Sequence, residues 1–394
     1  MPDVQSELER ACELEPAKDA DAVVGELPQW VVRPTTTAQV ADIMRVASAH
    51  DLAVVARGAG TKLRWGNRPQ RVDVVLDTTG LDALVEHAEG DLILVTGAGR
   101  RLETIQQDIS ASGQQLGIDP ARKGTVGGAV ATASTGPLRL RHGAVRDLVI
   151  GMTFVRADGV VAHSGGKVVK NVAGYDLAKI MTGSYGTLGV ITEVAFRLHP
   201  IPQGRRWVSV EVDSAQQAHE AVQALVHSQV MAAAIELDWS DGRGQVAVQI
   251  VGHADGVDAI CEEVIRLLAR DAESSTEPPS WWGGEPAGAL LKVTYEIGAL
   301  TQLLEAIGSL RFRGSPGVGT GLLGVSDAVV DVVANLRRES ARFGGSVVVL
   351  DAPEEARGEL DLWGPVRGLE LMRSVKQRFD PGRLLSPGRF VGGI

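Results

Sequence analysis

A short glycine loop between two cations is the first segment whose residue types could do chemistry. The stretch "ARGAGTK", Ala56–Lys62, places Gly58 and Gly60 between Arg57 and Lys62. Successive amide groups in such a turn form an anion-binding concavity, and the two cations could offset the charge of a pyrophosphate. The alternative is an ordinary glycine turn with solvated charges, and this motif alone leaves both interpretations open.

A second segment consists almost entirely of small residues. The stretch "GTVGGAVATASTGP", Gly124–Pro137, contains four glycines and no residue larger than Val or Pro. Glycine weakens helices and strands, so we expect these residues to let the backbone approach a large, flat ligand. The basic stretch "LRLRHGAVRD" follows directly. His142 in it could act as a base, although a single loop histidine is more often structural or a hydrogen-bond donor.

A third glycine-rich segment, Gly165–Glu193, makes the combination specific. The three segments, in this order, resemble the FAD-binding domain of the vanillyl-alcohol oxidase and para-cresol methylhydroxylase superfamily, and within it the FAD-binding subunits of glycolate oxidase. The resemblance covers roughly residues 30–200 and the C-terminal "FDPGRLLSPGRF". It implies an α+β fold, with a two-lobed FAD-binding domain of the PCMH type followed by an α+β cap domain that binds substrate.

The same resemblance implies a set of FAD-binding residues. They are Arg57, Gly58, Ala59, Gly60, Thr61 and Lys62 at the pyrophosphate; Pro120, Gly124, Thr125, Gly127, Gly128, Ala131 and Gly136 along the cofactor; and Arg141, His142, Gly143, Gly189, Val190 and Ile191 around the rest of it. We expect FAD to be held without a covalent bond, because Thr61 stands where relatives carry the attaching histidine. No cysteine lies between Cys12 and Cys261 to form a second bond.

The activity implied is the FAD-dependent oxidation of a 2-hydroxy acid, such as glycolate or D-lactate, to the 2-oxo acid. A cap cation would bind the substrate carboxylate, and Lys292, Arg311 and Arg313 are the candidates; no catalytic base is assigned. Relatives of this kind carry a metal-binding histidine pair in the cap and a later histidine beside a glutamate. This chain has no adjacent histidine pair and no histidine after His253, so the resemblance implies no metal site here. The missing histidines leave open an alternative, an electron-transfer or structural subunit without its own substrate chemistry.

Charge and cysteine usage narrow the class of partners. The formal net charge is −10, which disfavours nucleic-acid binding, and two distant cysteines cannot build an iron–sulfur cluster. The resemblance therefore suggests a second flavoprotein subunit and an iron–sulfur subunit as partners. The acidic N-terminus lacks a secretion signal and no apolar run reaches about 20 residues, so we expect a cytoplasmic protein that meets membranes only through partners.

The spacing of apolar residues predicts the helices and strands that position these segments. Helical spacing of Val40, Ile43, Met44 and Ala47 predicts a helix, followed by a buried strand that ends at Arg57. We predict an N-terminal extension over 1–29, the FAD-binding domain over 30–202, the cap over 203–365, and a C-terminal segment, 366–394, that returns to the FAD-binding domain.

Two features of the cap leave alternatives. The stretch "GTGLLG", Gly319–Gly324, fits a dinucleotide-binding motif with Glu339 as the ribose ligand, although the preceding "RFRGSPGV" is a poor buried strand. The pair Trp281 and Trp282 forms either a buried corner or an exposed docking surface.

Overall fold

Two units make up the computed structural model, which describes residues 4–166, 175–268 and 271–394. Unit 1 comprises Met1–Thr135, Gly143–Ile201 and Val366–Ile394, and unit 2 comprises Gly136–His142 and Pro202–Pro365. The boundaries at 30, 203 and 366 stay a prediction. The grouping differs from them at Gly136–His142, which we expected in the FAD-binding domain.

Unit 1 begins with a four-stranded sheet. Its elements are α1 (Val4–Ala11), β1 (Glu13–Pro16), β2 (Trp30–Arg33), α2 (Thr37–Ala49), β3 (Val54–Arg57) and β4 (Val74–Asp77). The strand order is β1-β2-β4-β3, with β1 antiparallel and the others parallel. The predicted helix is confirmed as α2: its Thr36 cap accepts a hydrogen bond from the Gln39 amide, and its apolar stripe is buried.

A five-stranded antiparallel sheet forms the second half of unit 1. The elements are β5 (Leu84–Ala88), β6 (Ile93–Gly97), α3 (Leu102–Ser110), β7 (Gln114–Gln115), α4 (Val126–Ala131), α6 (Val145–Leu148), β8 (Val149–Val155), β9 (Val161–Gly165), α7 (Leu177–Met181), β10 (Val190–Arg197) and β11 (His199–Pro200), with α5 (Arg139–His142) in unit 2. The order is β5-β6-β10-β8-β9. The predicted turn at Asp158 and Gly159 joins β8 to β9, and Gly159 adopts φ +77° there.

Unit 2 is an eight-stranded antiparallel sheet with helices packed on it. Its elements are β12 (Gly204–Val212), α8 (Ala215–Val226), β13 (Ala234–Ser240), β14 (Arg243–Gly252), α9 (Val257–Leu268), β15 (Glu273–Ser275), β16 (Ala289–Thr294), α10 (Leu300–Ile307), β17 (Arg311–Ser315), β18 (Thr320–Val325), α11 (Val329–Ala341), β19 (Ser346–Asp351) and α12 (Glu354–Arg357). The order is β15-β12-β14-β13-β17-β18-β16-β19. Mostly antiparallel sheets with helices confirm the α+β class.

The dinucleotide-motif alternative in unit 2 is wrong. Gly319–Gly324 leads into and largely forms β18, which pairs with β17 on one side and β16 on the other. A phosphate-binding glycine loop needs a free turn before a helix, and a central strand offers none. The preceding "RFRGSPGV", expected to be a poor buried strand, forms the strand β17 over its first five residues, of which Phe312 and Ser315 are buried and Arg311 is exposed.

The C-terminal segment lies in unit 1. Helix α13 spans Leu369–Phe379, and the chain after it places Leu385 beside Val54 of β3 in a parallel bridge. Among the residues described, no helix is both long and apolar enough to cross a lipid bilayer.

Candidate functional site

Unit 1 contains a cleft beside the glycine loop that follows β3. Its lining residues are Val55, Ala56, Arg57, Gly58, Ala59, Gly60, Thr61, Lys62, Leu63, Thr78, Thr125, Gly127, Gly128, Ala131, Thr132, Tyr185, Gly186, Gly189, Ile191 and Arg389. Its empty volume, open mouth included, is about 820 Å³.

The first two glycine segments, predicted separately, meet at this cleft. A Cβ added to Gly58 would lie 2.1 Å from the Thr125 hydroxyl oxygen, and one added to Gly124 would lie 2.9 Å from that of Thr61. Glycine at each position leaves room for a threonine side chain of the other segment. Gly60 adopts φ +72° with open space beside it, so the turn exposes backbone toward the cleft.

Part of the small-residue segment, Val126–Ala131, forms a short helix, although its glycines weaken helical structure. Helix α4 starts at the Thr125 cap, whose hydroxyl accepts a hydrogen bond from the Gly128 amide at 3.3 Å. Gly127 faces protein, since a Cβ there would lie 2.9 Å from Cβ of Ala98. A Cβ added to Gly128 would have only the Thr125 hydroxyl oxygen within 4 Å, at 3.2 Å. The segment is small partly for helix packing and partly for the cleft.

Arg57 does not supply a charge to the cleft in the way its sequence position suggests. Its guanidinium donates to Asp21 Oδ1 at 2.7 Å and to Asp77 Oδ2 at 3.0 Å. Although burial opposes the charged form, these two carboxylates raise the pKa of Arg57. A doubly paired guanidinium has little charge left for a pyrophosphate, so Arg57 contributes chiefly to the shape of the loop.

Two other cationic side chains line the cleft. Lys62 Nζ donates to the Arg122 carbonyl at 2.8 Å and lies 5.8 Å from the centre of the Trp65 ring. Arg389 Nη2 donates to the carbonyl oxygens of Leu63 at 2.7 Å and Trp65 at 2.6 Å. Both side chains are therefore fixed in direction by the glycine loop and the residues that follow it.

The sequence reasoning missed several lining residues: Val55, Ala56, Leu63, Thr78, Thr132, Tyr185, Gly186 and Arg389. Tyr185 adopts φ +55°, its ring lies 5.5 Å from that of Phe390, and burial raises the pKa of its phenol. It belongs to the third glycine-rich segment, which was a usable signal. Residues 167–174 of that segment lie outside the described residues.

Some residues predicted at the cofactor are not among those that line the cleft, and their assignment stays a prediction. In unit 1, Pro120, Gly124, Gly143 and Val190 are absent from the lining. Gly143 adopts φ +83° beside Asp147, so a turn explains its glycine, and Val190 is buried in the core. Gly136, Arg141 and His142 belong to unit 2. Their assignment to the cofactor stays a prediction.

In unit 2 the three candidate cations differ in their partners. Arg311 and Arg313 both donate to Asp238, the latter from Nε at 2.8 Å. Lys292, on β16, has no hydrogen bond or ion pair among the residues that the structure describes. Burial, and next the nearby charge of Arg139, lower the pKa of its ammonium. Lys292 and Arg139 are like charges brought together, an arrangement that favours an anion.

The tryptophan pair forms a half-buried corner of unit 2. Trp281 Nε1 donates to Gln245 Oε1 at 2.7 Å, and the ring of Trp282 lies edge-on to Trp207 with centroids 6.3 Å apart. These contacts within the unit favour the buried-corner interpretation over a docking surface.

Comparison with known families identifies the cofactor of the chain. The family "FAD binding domain" matches residues 28–165, and the family "FAD linked oxidases, C-terminal domain" matches residues 361–390. The chain thus contains regions similar to an FAD-binding domain and to the C-terminal domain of FAD-linked oxidases. FAD is its cofactor, and the glycine walls around Gly58 and Gly128 fit a ligand that backbone amides contact directly.

Curated relatives of this FAD-binding protein share part of their length with it. Glycolate oxidase subunit GlcD of Bacillus subtilis is 30% identical over 220 residues, 55% of this chain and 47% of the relative. Glycolate oxidase subunit GlcE of Escherichia coli is 33% identical, covering 50% and 59%, and a D-lactate dehydrogenase of Archaeoglobus fulgidus is 36% identical, covering 43% and 38%. The chain thus spans between 38% and 59% of the length of these three relatives.

A solved structure of alkyldihydroxyacetonephosphate synthase shares the fold. It aligns with a TM-score of 0.73 over 98% of this chain and 86% of that chain, at 16% identity. At this identity the likeness shows the fold alone.

Proposed function

We propose that this chain is an FAD-dependent oxidoreductase subunit that oxidises a 2-hydroxy acid, such as glycolate or D-lactate, to the 2-oxo acid. The observation that carries the proposal is the glycine-walled cleft of unit 1 in a chain whose curated relatives are named glycolate oxidase subunits and D-lactate dehydrogenases. Bound FAD supplies the electron acceptor for this oxidation. The chain itself supplies position and charge.

The cleft residues would hold FAD through backbone groups. Gly58, Gly60 and Gly128 keep the walls free of side chains, and Thr125 fixes the start of α4. We expect the FAD to be bound without a covalent link.

Lys292 is our candidate for the substrate carboxylate. Arg311 and Arg313 are already paired with the Asp238 carboxylate, whereas Lys292 has only a like charge, Arg139, near it. A carboxylate placed beside Lys292 would relieve that repulsion and form a charge-assisted hydrogen bond. Of the three cations, Lys292 thus has the most to gain from an anionic ligand.

The function is tested by an anaerobic titration of the purified holoprotein with a panel of 2-hydroxy acids, followed at the flavin absorbance. We expect glycolate, D-lactate or a close homologue to bleach the flavin band stoichiometrically, and an artificial acceptor to restore it. A flavin that dithionite reduces but no hydroxy acid reduces would contradict the proposal. That result would support the alternative, a subunit that carries electrons without its own substrate.

Substitution of Lys292 tests the carboxylate assignment. We expect Lys292→Met to raise KM at least tenfold with a smaller change in kcat, since the ion pair forms in the bound ground state. Lys292→Arg should recover part of the affinity, and Arg338→Met, on the exposed face of α11, should change neither constant. Because the pKa of Lys292 is lowered, its ammonium loses its charge at a pH below the ordinary lysine pKa of about 10.5. As the pH increases, the KM of the wild type should therefore begin to rise before that value is reached. A KM unchanged by Lys292→Met would exclude the residue.

We also propose that the chain works in a cytoplasmic complex with a second flavoprotein subunit and an iron–sulfur subunit. The relatives GlcD and GlcE are named as subunits, which supports assembly of several chains. Affinity purification from the native cell, followed by iron and flavin analysis, should recover both partners. Sustained quinone-linked turnover by this chain alone would contradict the partner requirement.

A further inference from the structure

The C-terminal segment 380–394 forms part of the wall of the FAD cleft. The Val54 amide of β3 donates to the Leu384 carbonyl at 2.7 Å, and the Ser386 amide donates back to the Val54 carbonyl at 2.9 Å. Further along, the Asn67 amide donates to the Arg389 carbonyl at 3.0 Å. The segment therefore runs beside β3 and beside the chain that follows the glycine loop.

A buried ion pair holds this segment in place. Lys376 Nζ, on α13, donates to Asp380 Oδ2 at 2.6 Å and to the carbonyl oxygens of Thr187 and Leu385, each at 2.9 Å. The Asp380 carboxylate also accepts the amides of Leu384 and Leu385, at 3.0 and 2.8 Å. Lys376 and Asp380 thus connect α13 with the turn at Thr187 and with residues 384–385 of the C-terminal segment.

The C-terminal segment held by Lys376 and Asp380 places the Arg389 side chain in the lining of the cleft. Its side chain is buried, and Nη2 is oriented by the Leu63 and Trp65 carbonyls, one and three residues beyond the glycine loop. Gly66 permits the approach, because it adopts φ +83° and a Cβ there would lie 2.7 Å from the Arg389 carbonyl oxygen.

We propose that Arg389 binds the pyrophosphate of FAD, and that the buried pair of Lys376 and Asp380 positions it. A guanidinium is suited to phosphate oxygens because its planar fork donates two parallel hydrogen bonds. Arg389 lines the same cleft as Gly58–Thr61, whose amides are the predicted pyrophosphate ligands. The inference rests on FAD as the cofactor and is independent of the substrate.

The test compares flavins that share the isoalloxazine ring and ribityl chain but differ in phosphate content, FAD also carrying adenosine. The apoprotein of the full chain is titrated with FAD, FMN and riboflavin, and binding is followed by quenching of flavin fluorescence. We expect Arg389→Met to raise the Kd of FAD roughly ten- to one-hundredfold, the value of a charge-assisted hydrogen bond, and that of riboflavin less than about twofold. The FAD Kd of the wild type should also rise more steeply with KCl than that of the variant.

Three further variants make the outcome decisive. Arg383→Met removes an exposed cation of the same segment, whose Nη2 donates to the Gly393 carbonyl, and should leave all three Kd values unchanged. Arg389→Lys keeps the charge and should retain an intermediate FAD affinity if Arg389→Met folds poorly. Lys376→Met should weaken FAD more than riboflavin, as expected of a positioning residue. The proposal would be overturned if Arg389→Met lost affinity equally for FAD and riboflavin. It would also be overturned if Lys62→Met alone lost affinity selectively for the phosphate-containing flavins.

Discussion

At the scale of single residues, the FAD cleft depends on glycines that have no room for a methyl group. Gly58 is the clearest, since its missing Cβ leaves space for the Thr125 side chain that caps α4. A glycine at a close backbone contact differs from one that merely supplies a left-handed turn, such as Gly60. The two kinds respond differently to substitution.

We therefore expect Gly58→Ala to destabilise unit 1 by about 1–3 kcal/mol, as overpacking does, and to weaken FAD binding because Thr125 must move. Gly90→Ala is the matched control, because Gly90 is exposed and nothing lies within 4 Å of the position that a Cβ would occupy there. Urea denaturation and FAD titration measure both effects. An FAD affinity and stability equal to those of the control would show that the contact does not matter.

The type of lining residue also bears on how FAD is attached. The lining of the cleft contains no histidine and no cysteine among the residues that the structure describes, and Thr61 stands in the glycine loop. The one phenol in that lining, Tyr185, has its pKa raised by burial, which disfavours the phenolate nucleophile. Acid precipitation should thus release all flavin into the supernatant. Yellow colour that remains in the washed pellet would contradict this prediction.

At the scale of elements, α13 fastens the C-terminal segment through a pair of buried charges. Asp380 is completely buried and Lys376 nearly so, so each charge depends on the other and on backbone partners. Removing one partner of such a pair leaves an uncompensated charge in the interior. The cost should exceed that of any exposed ion pair on the same helix.

We predict that Lys376→Met lowers the free energy of unfolding by about 3–5 kcal/mol. Arg373→Met, which breaks the exposed pair with Glu370 on α13, should cost at most about 1 kcal/mol. Equilibrium urea unfolding followed by circular dichroism compares the two. Similar losses in both variants would show that the buried pair does not anchor the segment.

At the scale of the whole molecule, each unit has its own hydrophobic core. One core is built on the sheet and helices of unit 2, and the cores of unit 1 lie around Phe154 and around Val40 and Ile43. A ligand that binds only the native form of one unit stabilises that unit by mass action.

FAD should accordingly protect unit 1 and not unit 2 from opening. At a free concentration of one hundred times Kd, the stabilisation is about 2.7 kcal/mol. Hydrogen exchange should slow in β3 and α4 when FAD is added, while β14 in unit 2 exchanges unchanged. Protection that appears equally in β14 would show that FAD binding is coupled to both units.

The sequence by itself determined the features that depend on neighbouring residues. The periodic apolar positions of α2, the turn at Asp158 and Gly159, and the glycine loop Gly58–Thr61 are local patterns that periodicity and turn chemistry make readable. The combination of three glycine segments was enough to indicate FAD and an α+β fold. None of these inferences required knowledge of which distant residues meet.

The tertiary structure decided the partners of Arg57 and the position of Arg389 at the cleft. The sequence suggested Arg57 as the pyrophosphate cation, but its guanidinium is paired with Asp21 and Asp77. Arg389 donates to the carbonyl of Leu63, a residue 326 positions earlier in the chain. The helix α4 formed despite its glycines because Gly127 packs against Ala98. Propensity is local, whereas ion pairing and close packing depend on contacts between distant segments, so only the folded chain fixes them.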